Sequence, residues 1–369
     1  METEENFWER LFEAGEPKQS VEMRLVRKRG RAFLLLPRKT RLAAQVLELY
    51  PAQSRPARVA RAALRWTLLA HLPIGSGKVS VSFSPADSFV AFLTDLIGIS
   101  HDQPPALGIL SGNPNSSGRR FICLLFDASG NPAAVVKAGL AADAQGLIDC
   151  EKTFFESMPK QMPGVPKLRA AFAVPRLHAL AFDFFPGRSP RTRDETAIPS
   201  LLGSWIDEQQ QIPVSQTLVW QELERAGTPH PVLEKLKQKL HGKSFRRTIY
   251  HGDFAPWNIK VSPAGEWTVL DWERGDVNGV PAWDWFHYAL QTSILVGRKP
   301  TSALIERLET LLASEEFGRY AQLSTITGVE RQLAMAYLLH HCEVVRPSEG
   351  LMENRELLAA LTQRWLKSP

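Results

Sequence analysis

The feature that most constrains this chain is the way strand-like and helix-like stretches are segregated along it. Between Leu107 and Phe185, short apolar runs alternate with turn residues. Gly108-Ile109-Leu110, Phe121 to Phe126 and Ala134 to Lys137 are separated by a polar loop, Ser111 to Gly118, and by the turn Ser129-Gly130-Asn131-Pro132. Helical periodicity follows from Asp143 to Met158, and two further apolar stretches flank Pro175. The order is β-β-β-α-β-β. From Thr196 onward the pattern is mainly helical, apart from a β-rich stretch from Thr248 to Glu273. Strands gathered in one part and helices in another predict an α+β fold.

With 369 residues, 44% of them hydrophobic, the chain can bury a large core and divide into two or three units. The changes of texture suggest a basic extension over residues 1–100, a β-rich part over 101–187 and a mainly helical part over 188–369. No apolar run approaches the roughly 18 residues of a membrane span. Met1-Glu2-Thr3-Glu4-Glu5 lacks the basic-then-apolar order of a signal peptide, so a soluble, cytoplasmic protein is expected. Cys123, Cys150 and Cys342 are too few and too far apart for a disulfide framework or a CxxC metal site, and are expected as buried, reduced thiols.

The net charge of +5 is unevenly placed: Val21 to Arg65 holds twelve lysines or arginines against Glu22 and Glu48. Such a block suits nucleic acid, anionic lipid or a phosphorylated substrate as a partner. Within it, helical patterns run around Ala43 to Leu49 and from Ala57 to Leu72. In the second, Val59, Ala62, Ala63, Trp66 and Leu69 or Ala70 form an apolar stripe, with Arg58, Arg61 and Arg65 on another side. The expectation is that this stripe packs on the rest of the protein and the arginines face water; membrane or nucleic-acid contact is the less favoured alternative.

Chemistry concentrates further on. The β-prone Thr248 to Tyr250 leads into His251-Gly252-Asp253-Phe254-Ala255-Pro256-Trp257-Asn258, where Pro256 forbids regular helix and Asn258 begins another strand-like run. A second β-prone approach ends at Asp271, followed by Trp272 and Glu273. Two aspartates at strand ends, with an asparagine five residues after the first, are what phosphoryl transfer needs. One carboxylate accepts or orients the proton of an attacking hydroxyl; an amide oxygen and the second carboxylate hold a hard Mg²⁺ that bridges nucleotide phosphates.

These segments, with Val269-Leu270-Asp271-Trp272-Glu273 and Pro281-Ala282-Trp283-Asp284, resemble those of the aminoglycoside phosphotransferase and choline kinase family, relatives of the protein kinases. The resemblance spans Leu107 to the C-terminus. It implies a bilobal kinase-like fold with a β-rich N-lobe, a helical C-lobe and ATP in the cleft. It further implies Asp253 as catalytic base, Asn258 and Asp271 as Mg²⁺ ligands, His251 as a brace for the catalytic loop, and Asp284, opening a helix from Trp283 to Val296, as a structural support. Glu273 suits an assisting metal or water contact, or a surface salt bridge.

In the β-rich part, Glu151 shares a helix face with Leu147, Phe154 and Met158, which places a carboxylate in an apolar stripe. Lys137, ending the strand before it, is the obvious partner. The pair resembles the kinase lysine and glutamate that contact ATP phosphates. By position, Ser111 and Gly112 open the loop that would cover the phosphates, a plain hairpin being the alternative. Phe182 and Phe184, before Gly187, lie where the hinge would meet adenine, or are core. Gly75-Ser76-Gly77-Lys78 lacks the first glycine and the Ser or Thr of a P-loop and reads as a turn. His340, His341 and Cys342 point around a helix and read as core or interface. For the acceptor, Trp205, Asp207, Glu208, Trp220, Glu222 and Glu224 offer groups for a cation or a sugar. The expected function is an ATP-dependent kinase for a small-molecule hydroxyl, such as that of a sugar or an amino alcohol. The alternatives are a non-catalytic kinase-like nucleotide-binding regulator and a protein kinase.

Overall fold

A computed structural model of the chain describes residues 7–12, 16, 18–50, 52, 55–72, 77–112, 118–158, 162–226, 231–345 and 351–366. The fold is α+β and divides into two compact units, Met1–Glu156 with Pro166–Phe185, and Ser157–Val165 with Pro186–Pro369.

The first unit is built on one antiparallel sheet. Its strands are β1 (Gln19–Lys28), β2 (Arg31–Pro37), β3 (Gly77–Phe83), β4 (Leu107–Ser111), β5 (Arg120–Phe126), β6 (Pro132–Gly139), β7 (Leu168–Val174) and β8 (Leu177–Asp183), in the order β3-β1-β2-β4-β5-β6-β8-β7. Residues 1–100 are therefore not a body apart: β2 pairs with β4, so β1 to β3 widen the sheet of the following segment. The cause is alternation. Met23 and Leu25 of β1 are buried, while Glu22, Arg27 and Lys28 are exposed. Gly77 and Lys78, expected in a turn, open β3 opposite Leu25 and Arg24; Gly75 and Ser76 lie outside the described residues.

Helices cover both faces. On one face α1 (Phe7–Leu11) and α4 (Ser88–Ile97) bring Trp8, Leu11, Phe89, Val90 and Leu93 against Leu25, Ile109, Cys123, Val136 and Ala181. Each such large side chain contributes about 1.5–3 kcal/mol by leaving water. Asp87 starts α4 by accepting the Phe89 N–H at 2.8 Å, and Gly98, at φ +66°, ends it. On the other face α2 (Thr40–Val46) and α3 (Arg55–Leu69) meet Leu34, Leu36, Leu110 and Leu124, and α5 (Ala142–Ser157) meets Leu180 and Phe182. The expected packing of the α3 stripe is overturned. Leu64 and Leu68 face the sheet, and the opposite side, bearing Val59 and Trp66, faces water. Cys123 and Cys342 are buried, and burial pushes both thiols up to about 12; Cys150, also expected inside, is exposed.

The second unit has a three-stranded sheet, β13-β10-β9, and a hairpin, β11-β12. The strands are β9 (Ile206–Pro213), β10 (Ser244–Tyr250), β11 (Ile259–Val261), β12 (Trp267–Val269) and β13 (Asp276–Gly279). The helices are α6 (Ile198–Ser204), α7 (Leu218–Arg225), α8 (Pro231–Leu240), α9 (Trp283–Gln291), α10 (Thr301–Ala313), α11 (Glu315–Leu323), α12 (Glu330–His340) and α13 (Leu351–Trp365). Every residue of α9 is buried, so it is the core helix of this unit. It stops at Gln291, short of the expected Val296, and the backbone continues as a wider π-type turn. No helix among the described residues is long and apolar enough to cross a membrane.

Candidate active site

In the second unit the segment after β10 is a loop held from several sides. Gly252 adopts φ +80°, and a Cβ there would lie 2.6 Å from that of Arg274, so glycine is required by both conformation and space. The Asp284 carboxylate, in the first turn of α9, accepts the His251 N–H at 2.8 Å and the Gly252 N–H at 3.1 Å. Burial nevertheless pushes its pKa up to about 7 against these two bonds. His251 Nδ1 accepts the Asp253 N–H at 3.1 Å, which leaves Nε2–H to donate to the Leu270 carbonyl at 2.9 Å. That bonding fixes a neutral tautomer. Burial agrees, taking the imidazole down to about 4. Both ring nitrogens are thus engaged with backbone, a bracing arrangement.

Asp253 is gripped on both carboxylate oxygens. Asn258 Nδ2 donates to Oδ2 at 2.8 Å and to the Asp253 carbonyl at 3.0 Å, while His287 Nε2 lies 3.0 Å from Oδ1. Burial raises the pKa of Asp253, but the His287 bond and the nearby charges outweigh it and hold the carboxyl below its ordinary range. With Nδ2 committed to Asp253, the amide oxygen of Asn258 remains as a hard donor. Leu270 ties Asp271 to the same loop: its N–H donates to the Asn258 carbonyl at 2.7 Å, and its own carbonyl receives His251. Asp271 then turns to φ +73°, a left-handed conformation that aspartate tolerates better than most residues. Glu273 follows in the same turn and is half-buried.

His287 is absent from the sequence reading. It is 1% exposed, and its Nδ1 lies 3.2 Å from the buried Tyr337 hydroxyl. His287 thus bridges the Tyr337 hydroxyl and the Asp253 carboxylate through its two ring nitrogens. The His341 ring lies tilted against that of Tyr337, centroids 4.4 Å apart, and its Nδ1 lies 3.4 Å from Gln291 Nε2. A signal was available: Asp284, His287 and Gln291 fall at i, i+3 and i+7, a polar stripe on an otherwise apolar helix.

In the first unit Lys137 Nζ lies 2.6 and 2.9 Å from the two Glu151 carboxylate oxygens, with the Glu151 side chain 1% exposed. Other expected contacts fall elsewhere. Ser111 pairs with Phe121, so by the two-residue period its hydroxyl is on the sheet face opposite Lys137, where Arg119 binds it. The Gly112 N–H is taken by the Arg120 carbonyl at 2.9 Å, and a Cβ at Gly112 would meet that oxygen at 2.4 Å; it is a hairpin glycine. Asn113 to Ser117 lie outside the described residues. Phe182 packs with Ile148 and Phe155, and Phe184 packs beside the α2 and α3 core.

The groups foreseen for an acceptor in the second unit do not converge. Trp205 and Trp220 are buried, Asp207 pairs with Arg247, Glu208 with Arg246, and Glu222 with His340. Among the described residues no three His, Cys, Asp or Glu are placed to hold a metal by themselves.

The chain matches no family model, and no curated protein matches it. It is similar to aminoglycoside phosphotransferases of known structure. A thermostable mutant of APH(4)-Ia, solved in ternary complex with ADP and hygromycin B, is 13% identical, covering 76% of this chain and 100% of its own, with a TM-score of 0.49. APH(3'')-Id from Streptomyces rimosus is 14% identical, covering 69% and 97%, with a TM-score of 0.42.

Proposed function

We propose that this chain is a kinase that transfers the γ-phosphoryl group of ATP to a hydroxyl of a small molecule. The observation that carries the reading is the fixation of Asp253, whose two carboxylate oxygens are held by His287 and Asn258 while one edge stays open, the side chain being 25% exposed. Asp253 orients the acceptor hydroxyl and takes its proton as the new O–P bond forms and the bond to the leaving ADP oxygen breaks. A carboxyl held below its ordinary range is a weak base. That suits a loose transfer in which the proton leaves late and positioning does most of the work. Asn258 Oδ1 and Asp271 would hold a hard divalent cation such as Mg²⁺, which would supply positive charge to nucleotide phosphates. Lys137, held by Glu151, supplies a further cation for phosphate.

His287 is proposed as a positioning residue that aims Asp253. The acceptor class is a small polyol or amine-bearing alcohol, a sugar or an amino alcohol. The test is ATP consumption across a panel of such compounds, with mass spectrometry of the product. A phosphorylated small molecule is expected. ATP binding without turnover on any compound would favour the nucleotide-binding regulator, and phosphate appearing on protein substrates alone would favour a protein kinase.

A further inference from the structure

Helix α3 carries two apolar faces, and among the described residues only one of them has a partner. Leu64 and Leu68 pack inward with Val26, Phe33 and Leu49. On the opposite face Val59 is 69% exposed, Trp66 67% and Leu69 49%, and Leu72, just beyond the helix, is 47% exposed. These are four of the six large hydrophobic side chains exposed among the described residues. Val59 and Trp66 are seven residues apart, so they form one stripe. Such a stripe facing water is unfavourable unless something covers it.

The surrounding charge indicates what that is. Arg58 and Arg65 are exposed along one flank of the stripe. Tyr50 links α3 to the β1–β2 turn, since its carbonyl accepts from Arg61 at 2.9 Å and its hydroxyl from Lys28 at 3.2 Å. The exposed Arg27, Lys28, Arg29 and Arg31 of that turn therefore lie beside the helix. An aromatic ring and aliphatic side chains bordered by cations match a surface with an apolar interior under anionic headgroups. Nucleic acid would use the arginines and leave Val59 and Leu69 without a role. A second copy fits poorly too: the 15-residue helix offers a stripe of roughly 200 Å², against about 800 Å² per partner in a stable dimer.

We propose that α3 and the β1–β2 turn dock this protein on an anionic lipid surface, with Val59, Trp66 and Leu69 entering the headgroup region and the flanking cations meeting the headgroups. The proposal is independent of the phosphoryl-transfer reading.

It is tested by floating the full chain with vesicles of phosphatidylcholine alone and with about one-third phosphatidylserine. The expected result is flotation with the anionic vesicles only, weakening as salt is raised. Val59→Ala with Trp66→Ala should weaken it at least about tenfold, and Arg58→Ser about fivefold, with circular dichroism melting unchanged because these side chains face water. In the unaltered protein, anionic vesicles should slow hydrogen exchange in residues 55–72. Absence of flotation would overturn the proposal, as would flotation indifferent to the double variant or unaltered exchange in residues 55–72. Binding to duplex DNA that depends on Arg58 and not on Trp66, in place of vesicle binding, would show a nucleic-acid surface instead. A dimer abolished by Trp66→Ala, without vesicle binding, would show a self-association face.

Discussion

Asp253 is held in position by buried side chains behind it. His287 holds one carboxylate oxygen, and Tyr337 stands behind His287. Because the His287 bond lowers the Asp253 pKa, His287→Ala should raise it. The acid limb of the pH–rate profile then moves to higher pH, with kcat/KM falling about a hundredfold through misalignment. Tyr337→Phe should shift the profile less and in the same direction. Asp284 makes a prediction of opposite kind. Its folded pKa of about 7 lies above the ordinary carboxylate value, so between roughly pH 4 and 7 the folded state binds a proton that the unfolded state does not, and stability falls as pH rises. His251, held down at about 4, works the other way, adding stability as pH rises from about 4 to 6.5. Urea unfolding of Asp284→Asn against the unaltered protein should isolate the first effect: the stability of the unaltered protein relative to the variant should rise as pH falls from about 7 to 4 and change little above 7. Lys137→Ala should cost about 3–5 kcal/mol in unit stability, since it strands a buried carboxylate. Lys137→Met with Glu151→Leu should recover most of that stability and none of the turnover. That contrast separates binding chemistry from folding.

At the scale of elements, what was legible in the sequence was whatever followed one clean period. Strands β4 to β8 and helix α5 were readable because their apolar runs are bounded by Gly, Pro and Asn turns. Strand β1 was hidden because Glu22 and Arg24 alternate with Met23 and Leu25 and Arg27 and Lys28 follow, so charge masks the apolar alternation. Strand β9 was hidden for a related reason. It lies at an edge of its sheet with residues 208–211 exposed, so Glu208-Gln209-Gln210-Gln211 needs no apolar side chains. In the site, Asp253, Asn258 and Asp271 were nominated by spacing and His251 and Asp284 by the family resemblance, and the five are tied to one another by hydrogen bonds or by the chain itself. His287 was not, because its role depends on the rotation of a buried helix relative to a loop more than 30 residues away. Element geometry also explains the glycine of the His-Gly-Asp segment. Gly252→Ala would force a left-handed alanine into the Arg274 side chain and should destabilise the second unit by at least about 2 kcal/mol. The thermal unfolding midpoint should fall accordingly, and an unchanged midpoint would mean that the loop is not as tightly held as its contacts imply.

At the scale of the molecule, the groups on which the proposed phosphoryl transfer rests are divided by unit: a buried lysine–glutamate pair belongs to the first, and a carboxylate loop with a candidate cation-binding pair belongs to the second. Neither part alone specifies an enzyme. The division also explains why the acceptor was the least legible feature. The tryptophans and acids of residues 196–247 suited either a recognition surface or plain helix surface, and Trp205, Trp220, Asp207, Glu208 and Glu222 are used in packing and ion pairs. Composition could not distinguish the two uses, since the same residue types serve both. The reaction is tested most directly by a single isosteric change. Asp253→Asn keeps a hydrogen-bonding side chain of the same size and removes only the carboxylate. With the acceptor that the unaltered protein phosphorylates, the variant should retain ATP binding and lose turnover by about a thousandfold or more. Turnover equal to that of the unaltered protein would contradict the assignment of Asp253, and with it the proposed phosphoryl transfer at this loop.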